Sequence, residues 1–216
     1  MTILNEYESK KLLNEFGINV SKGYLIDNKS IVYNLNNILN SINAKHYVIK
    51  IMSPDIIHKS DVGGVVLNIS PNNVANEMDE MLDNIEKKFP KANINGIYLQ
   101  EMIAPGIECI IGIKEDTQFG KVVIFGFGGI YAEIFKDISM RVLPVTEDDI
   151  KEMITETKVY KILSGVRGKV YDIEGIIDTI MKVCKLAEKE DIKELDINPM
   201  VVHTNDCIVL DARILI

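Results

Sequence analysis

Asp196, Asn198, Asp211 and Arg213 lie on either side of Thr204-Asn205-Asp206, a turn between two runs of strand-forming residues. If the chain reverses about Thr204 and Asn205, the pairing is antiparallel and Asn198 falls opposite Asp211. The two-residue alternation of a strand then puts Asp196 and Arg213 on the same face. Three oxygen donors and a cation share one patch. An incomplete oxygen set of this kind suits Mg²⁺, which takes one or two protein oxygens and completes its shell with water and nucleotide phosphates. The solvated face of an edge hairpin carries the same residue types.

A second group lies in the first half. His58 is one of three histidines and stands in Ser53-Pro54-Asp55-Ile56-Ile57-His58-Lys59-Ser60-Asp61, a stretch of turn formers with no regular period. His46 reads instead as part of an apolar strand and His203 as a strand end. A neutral imidazole near pH 7 attacks phosphorus and forms a phosphoramidate reactive enough to pass the phosphoryl group on. A loop histidine is also an ordinary surface residue. Lys50 interrupts the apolar strand Tyr47-Val48-Ile49-Lys50-Ile51, either snorkelling to solvent or serving as a point charge for a phosphate. Gly63-Gly64 lets backbone N–H groups approach an anion, or simply makes a turn. Gly126-Phe127-Gly128-Gly129 matches G-x-G-G only, short of the dinucleotide fingerprint, and equally permits a tight turn; no Walker A spacing is present. Glu101 and Glu108 flank the bend at Ala104-Pro105-Gly106, as ribose ligands or as edge charges.

Caps and periods predict the elements that carry these residues. Asn5 with Glu8 makes a capping box, Leu12, Leu13 and Phe16 give one apolar face, and Gly17 ends the turn: a helix over 5–16. Gly23 to Ile26 and Tyr47 to Ile51 read as strands with a helix between Asp27 and Asn43, a β-α-β unit. After a strand at Val65 to Ile69, Ser70 and Pro71 open a helix whose Val74, Met78, Met81, Leu82 and Ile85 recur at helical spacing until Pro90. Strands at Ile97 to Met102, Ile107 to Ile113 and Val122 to Phe125 carry the sheet into the second half. Thr146 with Asp149, and Asp172 ahead of Ile173, Ile176, Ile177 and Ile180, open two more helices. Strands near Glu194 to Val202 and Ile208 to Ile214 close the chain. The change of organisation near residue 105 predicts an α/β (α+β) protein of two lobes, 18–104 and 105–216, with the helix 5–16 ahead of them.

With 216 residues, 47% hydrophobic and 26% charged, the chain has the apolar mass for a substantial core. No apolar run approaches the roughly 20 residues of a membrane helix, and the N-terminus carries no secretory pattern, so a cytoplasmic protein without membrane contact is expected. Cys109, Cys184 and Cys207 are odd in number, far apart and embedded in apolar segments, which argues for core packing over disulfides or zinc. A net charge of −8 with no Lys/Arg block argues against general nucleic-acid binding. Any phosphate ligand must meet a local cluster of donors.

Taken in order, three segments resemble the nucleoside-diphosphate-forming acyl-CoA synthetases of the ADP-forming acetyl-CoA synthetase type. They are Lys50-Ile51 with Ser53 to Val65, Phe125-Gly126-Phe127-Gly128-Gly129-Ile130, and Glu194-Leu195-Asp196-Ile197-Asn198-Pro199 with Asp211-Ala212-Arg213. The opening Asn5-Glu6-Tyr7-Glu8-Ser9-Lys10 and Gly23-Tyr24 are similar to the start of the succinyl-CoA synthetase β subunit, a relative of the same ATP-grasp fold. That relative holds phosphates with a glycine-rich loop where this chain has His58-Lys59, which points to the acetyl-type branch.

The resemblance implies an ATP-grasp fold with the nucleotide cleft between its lobes, binding ADP or ATP with Mg²⁺. It also implies a separate CoA-binding α subunit, in an α2β2 heterotetramer, that handles CoA and the acid. A histidine of the α side would take phosphate from an acyl phosphate, and His58 would relay it to ADP. Lys50 would contact phosphates together with Gly63, Gly64 and Arg213. Glu101 and Ile103 would hold the base through the hinge backbone, Glu108 the ribose, and Asn198 and Asp211 the metal. Asp196 would orient the histidine of the relay. The chain lacks a CoA-binding glycine fingerprint of its own, which is why a partner is expected. Two rival readings are a free-standing ATP-grasp ligase joining a carboxylate to an amine, and a nucleotide-sensing module without activity; the latter fits poorly with Lys50, His58, Asn198 and Asp211 all being present.

Overall fold

A computed structural model describes residues 2–27, 31–56, 58–129, 137–165 and 168–216. Ile57 and Ile130, which belong to the motifs above, lie outside the described residues. In chain order the elements are β1 (Ile3–Leu4), α1 (Glu6–Glu15), β2 (Gly23–Ile26), α2 (Ile31–Ile42), β3 (Tyr47–Met52), β4 (Val65–Ile69), α3 (Val74–Lys88), β5 (Gly96–Glu101), β6 (Ile107–Asp116) and β7 (Gly120–Phe127). They continue with β8 (Ile138–Val142), α4 (Glu147–Thr155), α5 (Lys158–Leu163), α6 (Ile173–Lys189), β9 (Glu194–Val202), β10 (Cys207–Val209) and β11 (Ala212–Leu215). The chain divides into a larger unit, residues 1–20 with 105–216, and a smaller one, residues 21–104. The strands form two separate sheets rather than one that runs through both halves.

In the larger unit the sheet order is β1-β11-β9-β6-β7-β8, with β10 also paired to β9, and every pairing is antiparallel. One face carries Cys109, Ile111, Ile113, Val123, Phe125, Leu195, Ile197, Ala212 and Ile214, all buried in one cluster with residues of α4, α5 and α6. This is the strand alternation of a one-sided antiparallel sheet. α1 belongs here too. Asn5 and Glu8 close the capping box the spacing predicts, and Leu13 and Ile18 are in the same core. The boundary drawn at residue 18 moves accordingly: Ile18 is a core residue, Val20 bridges to Val209, and the chain enters the smaller unit at Ser21. Lys121 on β7 donates to the carbonyls of Ala187 and Glu190, covering orphan acceptors at the C-terminal end of α6.

In the smaller unit the order is β2-β5-β3-β4. β2 and β3 both run antiparallel to β5. They are therefore parallel to each other but separated by β5, so the expected β-α-β unit is a split one. Tyr47, Ile49, Ile51, Ile97 and Leu99 face a core made with Val74, Met78, Met81 and Ile85 of α3. A short 3₁₀ turn, Pro71–Asn73, precedes that helix.

All three cysteines are free and buried. Burial pushes the Cys184 and Cys207 thiols up to about 12 and Cys109 well above the usual thiol range, which leaves none as a thiolate nucleophile near neutrality.

β8 is tied to the end of α4 by polar contacts. Arg141 donates to the two oxygens of Glu156 at 2.6 and 3.0 Å, and the Ser139 hydroxyl donates to the same carboxylate. These two partners, Arg141 foremost, hold the Glu156 carboxyl down at about 2 against an ordinary 4.5. A depressed folded-state value means that the stabilisation is complete above about pH 4.5 and is lost as the pH falls toward 2. The gap in melting temperature between the parent chain and Glu156→Gln is expected to stay constant above that window and to close within it. A gap independent of pH would contradict this account.

Candidate functional site

The C-terminal hairpin reverses where the sequence placed its turn. β10 pairs with β9 as Cys207↔Val202, and β11 pairs with it as Ala212↔Ile197 and Arg213↔Asp196. That single register, carried through the link between β10 and β11, sets Asn198 across from Asp211, and the Asn198 N–H donates to the Asp211 carbonyl at 3.2 Å. Leu195 and Ile197 point into the core, so Glu194, Asp196, Asn198 and Arg213 alternate onto the exposed face, with Asp211 half-buried. Part of Asp196 stays exposed, yet the protein crowded around its carboxyl strips hydration and pushes its pKa above the ordinary range. Glu194 adds to the rise and Arg213 opposes it.

β6 pairs with β9 as Cys109↔Met200 on one side and Ile111↔Ile197 on the other, so Asn198 and Pro199 together stand opposite Ile110. Such a bulge bends a strand and re-aims its side chains. At this bulge Asn198 meets the glycine segment that follows β7, where the Gly129 N–H donates to Asn198 Oδ1 at 3.0 Å. The Gly128 N–H donates to the Glu108 carbonyl at 2.9 Å. Gly129 has φ of +58°, and a Cβ there would fall 1.9 Å from Glu108 Oε2. Both facts require glycine. Glu108, Gly129 and Asn198 thus form one cluster, whereas the sequence marked Glu108 and Asn198 for separate roles and left the glycines between a partial fingerprint and a tight turn. The available signal was a glycine pair directly after a strand that is itself hairpin-paired to the Glu108 strand.

The smaller unit carries the other candidates. His58 is exposed, two residues beyond the buried Ile56. The turn Ser60–Val62 follows it, capped by Gly63 in the left-handed region at φ +81°. The Gly63 N–H donates to Ser60 O at 3.3 Å and the Gly64 N–H to Lys59 O at 2.7 Å. Both donors are used inside the chain here, so the pair acts as the turn former of the two readings. A Cβ on Gly64 would also meet Ile51 Cγ2 at 2.5 Å. Glycine at 64 is what lets the histidine segment close onto β3. Lys50 does not snorkel out: it is only 8% exposed, on the face of β3 shared with Val48, and its Cα pairs with those of Tyr98 and Val65. Glu101 ends β5, where its carboxylate accepts the Lys22 N–H at 2.7 Å while its own N–H donates to Lys22 O at 2.9 Å. Its side chain is thereby committed to the chain, and the next N–H, that of Met102, donates to His46 O at 2.9 Å. Ile103 is half-buried in the link after β5. His46 is exposed just before β3 and not inside an apolar strand, while His203 pairs with Asp206 at 2.6 Å in the hairpin turn.

Among the described residues no cluster of three or more His, Cys, Asp or Glu has the arrangement of a protein-only metal site. Asn198 and Asp211 offer two oxygen groups on facing positions of neighbouring strands. Asn198 Oδ1 keeps a second lone pair beside the one that Gly129 occupies. That set fits a cation that completes its shell from water and phosphate, as Mg²⁺ does.

An ATP-grasp domain is matched over residues 1–216, which sets the class of protein. The chain is 41% identical to subunit β of the ADP-forming acetate–CoA ligase II of Pyrococcus furiosus over 223 residues, covering 100% of this chain and 92% of that one. It is 43% identical over 171 residues to the ADP-forming acetate–CoA ligase I of Archaeoglobus fulgidus, 78% of this chain but 25% of that longer protein. Among solved structures, the dinucleotide-forming acetyl-coenzyme A synthetase 1 of Ca. Korarchaeum cryptofilum, in complex with coenzyme A and Ca-AMPCP, superposes with a TM-score of 0.91 at 39% identity, covering 99% of this chain and 93% of that one. Another structure of that synthetase holds coenzyme A and Mg-AMPPCP with its phosphohistidine segment pointing towards the nucleotide-binding site (TM-score 0.84, 38% identity, 99% and 92% covered). This chain belongs to the ATP-grasp family and, within it, to the β subunits of ADP-forming acetate–CoA ligases. Among its described residues no helix is long and apolar enough to cross a membrane.

Proposed function

We propose that the chain binds ADP or ATP with Mg²⁺ and moves a phosphoryl group between the nucleotide and a phosphohistidine formed at His58. It does so as one subunit of a synthetase that interconverts acyl-CoA, ADP and phosphate with acid, ATP and CoA. The observation that carries this reading is the cluster of Asn198, Asp211, Asp196, Arg213, Glu108 and Gly129 on the exposed side of the β6–β9–β11 sheet, together with an exposed His58 in a turn-rich segment. Phosphoryl transfer asks the protein mainly for positioning and charge compensation, and these residue types provide both.

Each unit contributes its own parts. In the larger one Asn198 and Asp211 hold the metal, which when bound neutralises charge on the phosphate oxygens. Glu108 accepts from a ribose hydroxyl, kept clear by the missing side chain of Gly129. Arg213 supplies a cation for phosphate, and Asp196 orients the histidine of the relay. In the smaller one Lys50 serves the phosphates and the backbone at Glu101 and Ile103 reads the base. Gly63 and Gly64 serve by shaping the turn beside His58. Its imidazole attacks the γ-phosphorus of ATP as the bond to ADP breaks. In the ATP-forming direction an ADP oxygen displaces the imidazole, and the imidazole leaves neutral once protonated. The acid and CoA are handled by a CoA-binding α partner. The length of the Archaeoglobus relative beyond the matched quarter supports that division.

Incubating the chain with Mg²⁺ and γ-labelled ATP, with the partner present, is expected to leave on it a phosphate that is acid-labile and alkali-stable, as a phosphoramidate is, and that maps to residue 58. Label stable to acid, or located elsewhere, would overturn the relay.

A further inference from the structure

The machinery proposed above leaves unexplained a cation buried far from it in sequence. Lys10 on α1 is only 2% exposed, among the most deeply enclosed side chains of the chain. An ammonium is expensive to remove from water unless it is paired and hydrogen-bonded, and Glu6, four residues earlier on the same helix, is buried with it at 4% exposure. Lys10 Nζ donates to the Leu210 carbonyl at 3.3 Å, across 200 positions of sequence. Leu210 immediately precedes Asp211 in the two-residue link between β10 and β11.

That link is held from several directions. The Leu210 N–H donates to Pro199 O at 3.0 Å, and Asp211 O accepts the Asn198 N–H at 3.2 Å. Just upstream, the Val209 N–H donates to Asn19 O at 2.9 Å and the Asn19 amide donates to Cys207 O at 3.0 Å. β9 therefore braces the link on one side, and the N-terminal segment braces it on the other. Within that brace Lys10 places a charged donor on the peptide joining Leu210 to Asp211. Rotating that peptide would swing the Asp211 side chain away from Asn198. A charge-assisted bond to its carbonyl resists the rotation.

We propose that Lys10 is a positioning residue for Asp211, so that the first helix of the chain sets the geometry of the metal-binding pair from behind. The proposal rests on the reading of Asp211 as a metal ligand. Groups that orient ligands without touching the metal commonly matter as much as the ligands' own contacts do.

The test is calorimetric titration of the full chain with ADP, in Mg²⁺ and in chelator, for the parent, Lys10→Met, Lys10→Gln and Asp211→Asn. Lys10→Met keeps the length of the side chain and removes its charge. It is expected to weaken ADP binding in Mg²⁺ by about 10-fold while binding in chelator stays within about twofold of the parent. Lys10→Gln, which retains a donor, is expected to lose less. Equal losses with and without Mg²⁺ would mark Lys10 as a general packing residue and overturn the proposal. So would an unchanged Mg²⁺ dependence in Lys10→Met while Asp211→Asn is impaired. If Asp211→Asn itself binds Mg-ADP as the parent does, it is the reading of Asp211 as a ligand that fails. Should Lys10→Met not fold, Lys10→Gln carries the comparison. If neither folds, Lys10 is a core cation and the positioning role is rejected.

Discussion

His58→Ala is expected to lower ATP formation from acyl-CoA, ADP and phosphate by at least about 10³-fold in the enzyme assembled with its CoA-binding partner, because removing a covalent relay leaves no equivalent route for the phosphoryl group. The same substitution should leave the protein intact. The side chain is exposed and lies beyond the regular elements, and surface changes of that kind usually stay within about 0.5 kcal/mol. Mg-ADP affinity should stay close to that of the parent, since His58 meets the nucleotide only through the phosphoryl group in transit. Three measurements on one variant therefore separate the possibilities: turnover, melting temperature and nucleotide affinity. Loss of all three would make His58 a structural residue. Retention of all three would remove it from the mechanism and favour direct transfer, as in a free-standing ATP-grasp ligase.

Much of this arrangement was legible because it is local. Asn5 with Glu8 and Thr146 with Asp149 close capping boxes three residues apart, and no tertiary context is needed to read them. The hairpin was legible for a related reason. Once the turn is centred on Thr204 and Asn205, antiparallel pairing allows one register only, and Asn198 opposite Asp211 follows from counting.

What escaped the sequence is non-local or inverted. β8 has the alternation of a strand, but its apolar Ile138, Met140 and Val142 are exposed while Ser139 and Arg141 turn inward toward Glu156. A pattern read for apolar-in therefore fails there. The separation of β2 from β3 depends on β5, which begins at Gly96 whereas β3 begins at Tyr47, and helical or strand periods carry no information on such insertion. Lys10 enters the sequence reading only within the helix 5–16 and the opening that resembles the succinyl-CoA synthetase β subunit, and nothing local marks it as buried. Its contact partner lies at the far end of the chain. Gly129 belongs to the same class: the glycine was visible, but the carboxylate that forbids a side chain there was not.

The oxygen pair of Asn198 and Asp211 yields the second large effect. Asp211→Ala should reduce kcat/KM by about 100-fold or more, since a bound divalent ion supplies several kcal/mol of charge stabilisation and each ~1.4 kcal/mol is a factor of ten. Asn198→Ala should follow in the same direction with a smaller loss, because a neutral amide contributes less than a carboxylate. The double variant should fall well short of the product of the single effects, as expected for two groups serving one ion rather than two sites. Raising Mg²⁺ should recover part of the loss in each single variant and little in the double one. Asp191→Ala provides the control for charge. It removes a carboxylate of the same net effect from an exposed position, where it pairs with Lys193 at 2.9 Å, and should leave kcat/KM unchanged. If Asp191→Ala costs as much as Asp211→Ala, what matters is the overall field of an acidic protein and not a coordinating pair. If the two single losses simply multiply, Asn198 and Asp211 act on different steps, and the metal belongs to some other set of oxygens.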